Sequence, residues 1–337
     1  MRVYRFDELT GVDGLRLHHE EVPSPQRGEL LLKIKAVSLN YRDIAIARRE
    51  YVRPFAQGLV PCSDAAAEVV ETGEGVEDFA AGDRVVSLFH PRWFGGERPP
   101  TFEADTYGSA QNGWLTEYKV VSREAVVRLP DSLSDEAGAT LPCAATTAWT
   151  ALGGSLPIRA GQTVVTLGSG GVSVFALQLA KALGARVIAT TSSATKGEVL
   201  RGLGADEVID YTKVTGWGER VRELTDGRGA ERVVEVGGPA TIEQSLRAVA
   251  YGGEVTLIGF LGRDNPGIDF FTLFGSGAVT RTITVGHRGD LQETIRAVTM
   301  SGIAPVIDQV YDFDDAATAF RSLAEASHIG KIVIRVS

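Results

Sequence analysis

Thr163-Val-Val-Thr-Leu167, followed by Gly168-Ser169-Gly170-Gly171-Val172-Ser173, is the stretch that decides the architecture. Its first five residues read as a buried strand, and the apolar run Val174 to Leu183 that comes next reads as a helix. Glycines between the two permit a tight turn. They also let free N–H groups at the helix start approach a pyrophosphate, whose charge the helix N-terminus attracts. The third glycine of the usual dinucleotide fingerprint is replaced by Ser173, a small residue that still permits close packing. A glycine turn without a ligand is the plain alternative. The strand before it and the helix after it favour dinucleotide contacts at Gly168, Ser169, Gly170, Gly171 and Val172.

Working outward, short β-branched runs recur at Arg186-Val-Ile-Ala189, Glu207-Val-Ile209, Arg232-Val-Val-Glu-Val236 and Glu254-Val-Thr-Leu-Ile258, with helix-like segments between them. Strands alternating with helices predict a parallel sheet covered on both faces, an α/β doubly wound arrangement. Before Asp131 the texture differs. Leu30 to Val37, Ala67 to Glu71, Arg84 to Leu88 and Leu115 to Val121 read as strands separated by Gly, Pro and Asp turns. His90 to Asn112 lacks periodicity and reads as a long surface loop, and Asp135 to Leu152 is Ala-rich and helical. A helix around Leu291 to Met300 and a strand from Lys331 to Val336 close the chain.

Coenzyme choice is read at the end of the second strand of the sheet, where an acid would hold both ribose hydroxyls of NAD. No acid lies between Ala185 and Thr195. Thr190, Thr191, Ser192 and Ser193 stand there instead, followed by Lys196, a set able to hydrogen-bond and neutralise a 2′-phosphate. This favours NADPH over NADH.

With 337 residues, 44% hydrophobic and 23% charged, the chain has room for two globular domains. A net charge of -9 argues against a nucleic-acid surface. Cys62 and Cys143, the two cysteines, form no CxxC pair, so neither a disulfide framework nor a cysteine-built zinc lobe is expected, and a reducing, cytoplasmic setting fits. The N-terminal segment carries no apolar signal, and no apolar run is long enough to span a bilayer.

These features, together with Asn40-Tyr-Arg-Asp43, Gly82-Asp-Arg-Val85, Gly204-Ala-Asp206, Ile209-Asp-Tyr211 and Gly330-Lys-Ile-Val333, resemble the medium-chain dehydrogenase/reductase superfamily. The likeness runs through nearly the whole chain and is strongest to the zinc-independent quinone oxidoreductases and the zinc-type alcohol dehydrogenase-like proteins. It implies a GroES-like, β-rich catalytic domain, residues 1–145 and 286–337, split in sequence around a Rossmann domain, residues 146–285, with the active cleft between them. It further implies that Tyr211 joins Ser192 and Lys196 at the adenosine phosphate. Val236, Gly237 and Gly238, with Ile258, Gly259, Phe260 and Leu261, would follow the nicotinamide end, and Asn40 and Tyr51 would face the reacting centre. A homodimer joined edge to edge through Phe270 to Val285, a strand-prone segment, is also implied.

Zinc-dependent members of that superfamily bind the metal through a Cys, the His of a Gly-His-Glu motif and a later Cys. Here those positions carry Asn40, the segment Cys62-Ser63-Asp64, and Cys143, so no catalytic metal is expected. Cys62 with Cys143 and Asp64 remains a rival zinc set. Without a Lewis acid, the expected reaction is hydride transfer from NADPH to a quinone or to a C=C conjugated with a carbonyl, in a pocket lined by Trp93, Phe94 and Trp114. Tyr51 or solvent would supply the proton, and His90 and His287 are weaker candidates. An alcohol dehydrogenase with an atypical zinc site, or an NADPH-binding sensor without turnover, are the other readings.

Overall fold

The computed structural model describes residues 1–51, 55–101, 104–262 and 267–337. The chain divides into two compact units, Met1–Thr146 with Val285–Ser337, and Thr147–Thr284. In chain order the first segment contains β1 (Arg2–Phe6), β2 (Leu15–His19), β3 (Glu29–Ser38), α1 (Tyr41–Ala47), β4 (Asp64–Thr72), β5 (Arg84–Ser87), β6 (Tyr118–Ser122), β7 (Val126–Arg128) and α2 (Asp135–Ala139). Next come α3 (Thr146–Leu152), β8 (Thr163–Leu167), α4 (Gly171–Ala182), β9 (Arg186–Thr191), α5 (Ala194–Gly202), β10 (Glu207–Asp210), α6 (Trp217–Leu224) and β11 (Ala230–Glu235). They are followed by α7 (Ile242–Ala248), β12 (Val249–Leu257), α8 (Phe270–Ser276) and β13 (Val279–Thr282). The chain then returns to the first unit through α9 (Arg288–Met300), β14 (Ile307–Asp312), α10 (Ala316–Glu325) and β15 (Lys331–Arg335).

The first unit is built on a mixed sheet ordered β14-β15-β3-β4-β5-β7, with β6 also pairing β3, beside the hairpin pair β1-β2. Alternation along β3 and β4 sends Leu30, Leu32, Ile34, Ala67 and Val69 into one core with Phe6, Phe320 and Ile332. The second unit is the expected α/β layer: a parallel sheet ordered β10-β9-β8-β11-β12-β13. The chain runs outward from β8 to β10, then resumes on the other side of β8 at β11. The C-terminal ends of β8 and β11 therefore flank a topological switch point, where such sheets bind ligands.

Three expectations need correction. Asp135 to Leu152 is not one helix: after α2 the backbone makes a turn of π-helix, Leu141–Ala145, before α3, because Pro142 has no N–H for a regular ladder. The described residues of His90 to Asn112 are irregular, as expected, but they are not simply surface, and 102–103 lie outside the described residues. His90, Asp105, Thr106, Tyr107 and Ser109 are buried, and Asp105 is held by Arg92 at 3.0 Å and by Gln111 at 2.7 Å. Phe270 to Val285 is also not a continuous strand. Asp269 caps a helix there by accepting from Thr272 N at 2.7 Å, Gly277 ends it in a left-handed conformation, and only Val279–Thr282 is strand.

Trp114 is corrected as well. Its side chain is 0% exposed, part of the first unit's core, with its ring 5.1 Å from that of Tyr107, so it lines no pocket. Trp114→Phe is expected to lower stability by about 1–2 kcal/mol, read as a fall in melting temperature. A wild-type melting curve would show that the ring is not a core element.

Candidate functional site

The glycine turn after β8 has the shape its sequence demands. Gly168 sits at φ 74, where a side chain would be strained, and Gly170 is the N-cap of α4. At both, the space a Cβ would fill holds no atom within 4 Å, so the turn is open on the side that would receive a phosphate. Ser173 is buried, and its hydroxyl donates to Leu167 O at 2.6 Å. The residue replacing the third glycine thus ties the helix back to the strand it follows.

Beside this turn stands the end of β9. Gly168 N donates to Thr190 O at 3.0 Å, and Tyr211 N, just past β10, donates to Thr191 O at 3.0 Å. The two contacts bring Thr191, Ser192, Ser193 and Tyr211 to one edge. Ser193 is the N-cap of α5, where its hydroxyl accepts from Lys196 N at 3.5 Å. Ser192 is exposed and Lys196 half-buried. Asp210, paired with Thr191 in the sheet, is occupied by Thr212 at 2.6 Å and Lys213 at 3.2 Å. Its carboxyl is held below the usual range, first by the Thr212 hydroxyl.

The loops after β11 and β12 lie against each other. A Cβ on Gly259 would fall 2.1 Å from Val236 O, and one on Gly238 would fall 2.8 Å from Gly259 O. Only glycine permits that approach. Gly262 N donates to Gly237 O at 2.8 Å, which closes Ile258, Gly259, Phe260 and Leu261 over Val236, Gly237 and Gly238. Sequence reading missed what shapes this pair of loops. Glu235, fully buried at the end of β11, accepts from Gly237 N at 2.7 Å, Gly238 N at 2.8 Å and the Thr241 hydroxyl at 2.6 Å through one oxygen. Its other oxygen accepts from the Ser245 hydroxyl. An acid inside an apolar strand was the available signal.

In the first unit, Asn40 and the segment 62–64 meet Cys143 around a buried polar cluster. Asn40 is the N-cap of α1, its N–H donating to Asp43 Oδ2 at 2.8 Å, and its Oδ1 accepts from Lys331 Nζ at 2.6 Å. Lys331 also donates to Leu39 O. Asp64 accepts from the Ser63 hydroxyl at 2.6 Å and from Cys143 N at 3.0 Å. Cys62 takes φ 73, a left-handed conformation usually left to glycine, with the Cα atoms of Gly108 and Gly113 pressed against the surrounding backbone. Burial pushes both thiols up and away from the thiolate, and the neighbouring carboxylates push the same way. Burial also raises Asp43, to about 6 against the pull of Arg42, and raises Asp64 against the pull of Lys331.

Among the described residues no three His, Cys, Asp or Glu are grouped to hold a metal, and the Lys331 ammonium stands close enough to Asp64 and Asp43 to feel their charge. Tyr51 borders the same cluster, with its hydroxyl 3.5 Å from Arg42 Nε and its ring 5.2 Å from the guanidinium. Trp93 packs edge-on to His287 at 5.6 Å, and Arg288 N donates to Trp93 O at 2.9 Å, which fixes that loop to the start of α9. Phe94 is 49% exposed. His287 Nδ1 accepts from Asp290 N at 3.0 Å and so caps α9, while His90 is buried.

Two family models match the chain: an alcohol dehydrogenase GroES-like domain over residues 26–131 and a zinc-binding dehydrogenase over residues 171–300. A zinc-type alcohol dehydrogenase-like protein of Schizosaccharomyces pombe is 37% identical, over 100% of this chain and 99% of its own length. An acryloyl-coenzyme A reductase of Metallosphaera sedula is 27% identical over 95% of this chain and 96% of its own. The crystal structure of a mycobacterial protein complexed with NADPH superposes with a TM-score of 0.83 at 27% identity, covering 100% of both chains. With both halves matched in order and a relative alike from end to end, the chain belongs to the medium-chain dehydrogenase/reductase superfamily and is an oxidoreductase of that family.

Proposed function

We propose that the chain is an NADPH-dependent reductase acting on a quinone or on a C=C bond conjugated to a carbonyl, without a catalytic metal. The observation that carries this reading is the open glycine turn beside an acid-free strand end bearing Thr191, Ser192, Ser193, Lys196 and Tyr211. Hydroxyls and an ammonium suit a 2′-phosphate, whereas a ribose diol calls for a carboxylate. The likeness to a protein solved with NADPH supports the same choice, and the likeness to an acryloyl-coenzyme A reductase supports an activated alkene as acceptor.

When bound, the coenzyme supplies hydride to an electron-poor carbon. The chain's own part is placement and proton supply. Val236 to Gly238 and Ile258 to Leu261 hold the nicotinamide end. Asn40 offers an amide to the acceptor's oxygen, Tyr51 is the proton donor, and Trp93 and Phe94 border the acceptor. Cys62, Cys143 and Asp64 as a zinc set is the second reading, prompted by the name of the 37% identical relative. The absence, among the described residues, of three such donors grouped to hold a metal speaks against it.

Mixing the purified protein with NADPH and a panel of quinones, enones and acryloyl-coenzyme A in a stopped-flow instrument should show rapid loss of coenzyme absorbance. Inertness towards the whole panel would reject the reading, and coenzyme binding without any turnover would favour a sensor. Lys196→Ala should weaken NADPH about tenfold while leaving NADH unchanged, by calorimetry. Equal losses for both coenzymes would remove Lys196 from the phosphate site.

The partner we propose is a second copy of this chain, at the outer edge of the six-stranded sheet. β13 pairs with β12 on one side alone among the described residues, and beside it Tyr251, Phe271 and Phe274 are 86%, 78% and 75% exposed. Light scattering should give a dimer for the natural chain and a monomer for Phe274→Glu. A monomeric natural chain would end this proposal.

A further inference from the structure

Between Asn40 and Asp43 the chain places Arg42, a cation on α1 that is 7% exposed. A guanidinium taken out of water needs acceptors for its five N–H groups and an opposite charge in contact. Arg42 has less than that. Its Nη1 donates to Tyr107 O at 2.9 Å, and its Nε lies 3.5 Å from the Tyr51 hydroxyl. Asp43 Oδ1 stands 3.9 Å from Nη1, too far for a hydrogen bond. Nη2 is buried and makes no hydrogen bond among the described residues, and Asp43 Oδ1 is left in the same state.

Aromatic rings hold the guanidinium in place. Its centre lies 4.8 Å from the ring of Phe89 and 5.2 Å from that of Tyr51, contacts that fix the group without consuming an N–H. The cation is also close enough to Cys143 to interact with a charge there, so it belongs to the same cluster as Asn40 and Tyr51. A buried donor with no acceptor is costly, and folds retain such groups where a partner arrives during function.

The chemistry names that partner. Adding hydride to the β-carbon of a conjugated carbonyl moves the C=C pair towards the carbonyl carbon and the C=O pair onto oxygen, which becomes an enolate. The Asn40 amide is neutral and is engaged with Asp64 as well, so a full negative charge calls for a second donor. A fixed cationic N–H in a site shielded from water is suited to it.

We propose that Arg42 is a catalytic residue of this reduction, its Nη2 donating to the acceptor's oxygen and holding the negative charge that gathers there as hydride arrives. Tyr51 then gives its proton to the α-carbon, the oxygen's pair returns to the C=O bond, and solvent reprotonates Tyr51. Arg42 keeps its own protons throughout. On a quinone the same donor meets the oxygen that becomes the phenolate. This rests on the reductase reading and names the group by which the chain recognises its acceptors.

The natural chain, Arg42→Met and Arg42→Lys are compared in single turnovers, with NADPH bound and the fastest acceptor of the panel added. The Met variant should transfer hydride at least about a hundredfold more slowly and the Lys variant about tenfold more slowly, while calorimetry shows NADPH bound as tightly as before. A second readout separates the charge from packing. Para-nitrophenol, whose phenolate oxygen mimics the enolate, is added with NADP below the dye's own pKa, where the free dye is colourless. The natural chain should bind it as the coloured phenolate, and the Met variant as the colourless phenol. If the Met variant does not fold, Asp43→Asn is added to all three chains, so that no buried carboxylate stands alone, and the comparison is repeated. Hydride transfer within about threefold of the natural rate in folded Arg42→Met, or phenolate bound equally by both, overturns the proposal, while turnover of the panel by the natural chain keeps the reductase reading standing. If the natural chain reduces no acceptor, that reading and this role of Arg42 fall together.

Discussion

Gly170→Asp is expected to weaken dinucleotide binding by at least about a hundredfold while the chain stays as stable as before. The two halves of that outcome have separate causes. Gly170 has φ -75 and ψ 174, a conformation any residue adopts, and the position of its missing Cβ meets nothing within 4 Å. It is the N-cap of a twelve-residue helix, a place where Asp is favoured and contributes up to about 1 kcal/mol of helix stability. The new carboxylate would take the free N–H groups that a pyrophosphate needs and set a negative charge against it. Calorimetric titration with NADPH, beside a melting curve, reads both. Undiminished binding in a folded variant would move the coenzyme away from this turn.

Glu235→Ala is expected to cost about 3–5 kcal/mol, because it leaves four donors without an acceptor inside the second unit. Gly237 N, Gly238 N and the hydroxyls of Thr241 and Ser245 all point at that one carboxylate. Each unsatisfied buried group costs about 1–3 kcal/mol, and water entering the gap recovers part of the sum. The effect should reach the coenzyme through the Val236 to Gly238 loop, whose backbone touches that of Gly259. Faster amide exchange at Gly237 and Gly238, a lower melting temperature and weaker NADPH binding are expected together. Glu235→Gln should fall between, since its amide turns a nitrogen donor towards groups that are themselves donors. Natural exchange rates at both glycines in the Ala variant would show that the carboxylate does not shape the loop.

Where strands are buried on both faces, local sequence sufficed. Thr163–Leu167 is both the expected and the observed strand, and Arg186, Glu207 and Glu254 each lie in strands at the expected places. Those runs are short, β-branched and bounded by turns, so periodicity and turn chemistry agree. The failures share another cause. Phe270 to Ser276 is richer in strand formers than in helix formers, and Asp269 and Gly277 at its ends tipped it to helix all the same. Residue type alone points Trp114 to a pocket, whereas its place depends on what packs around it from β1 and the segment near Cys62.

By itself the sequence determined the α/β class of the second unit, the place of the glycine turn and the absence of an acid at the end of β9, since each is set by neighbours within a few residues. Only the tertiary structure decided the roles of Glu235 and Lys331. Both are charges in apolar strands, and whether such a charge is a defect or a fastening depends on what the fold turns towards it: for Glu235 the donors of the turn and helix that follow, two to ten positions on, and for Lys331 the acceptors of Leu39 and Asn40, nearly three hundred positions away. Hydrogen bonds of that reach leave no periodic trace in a sequence, because the pairing is fixed by the packed sheets and not by local spacing.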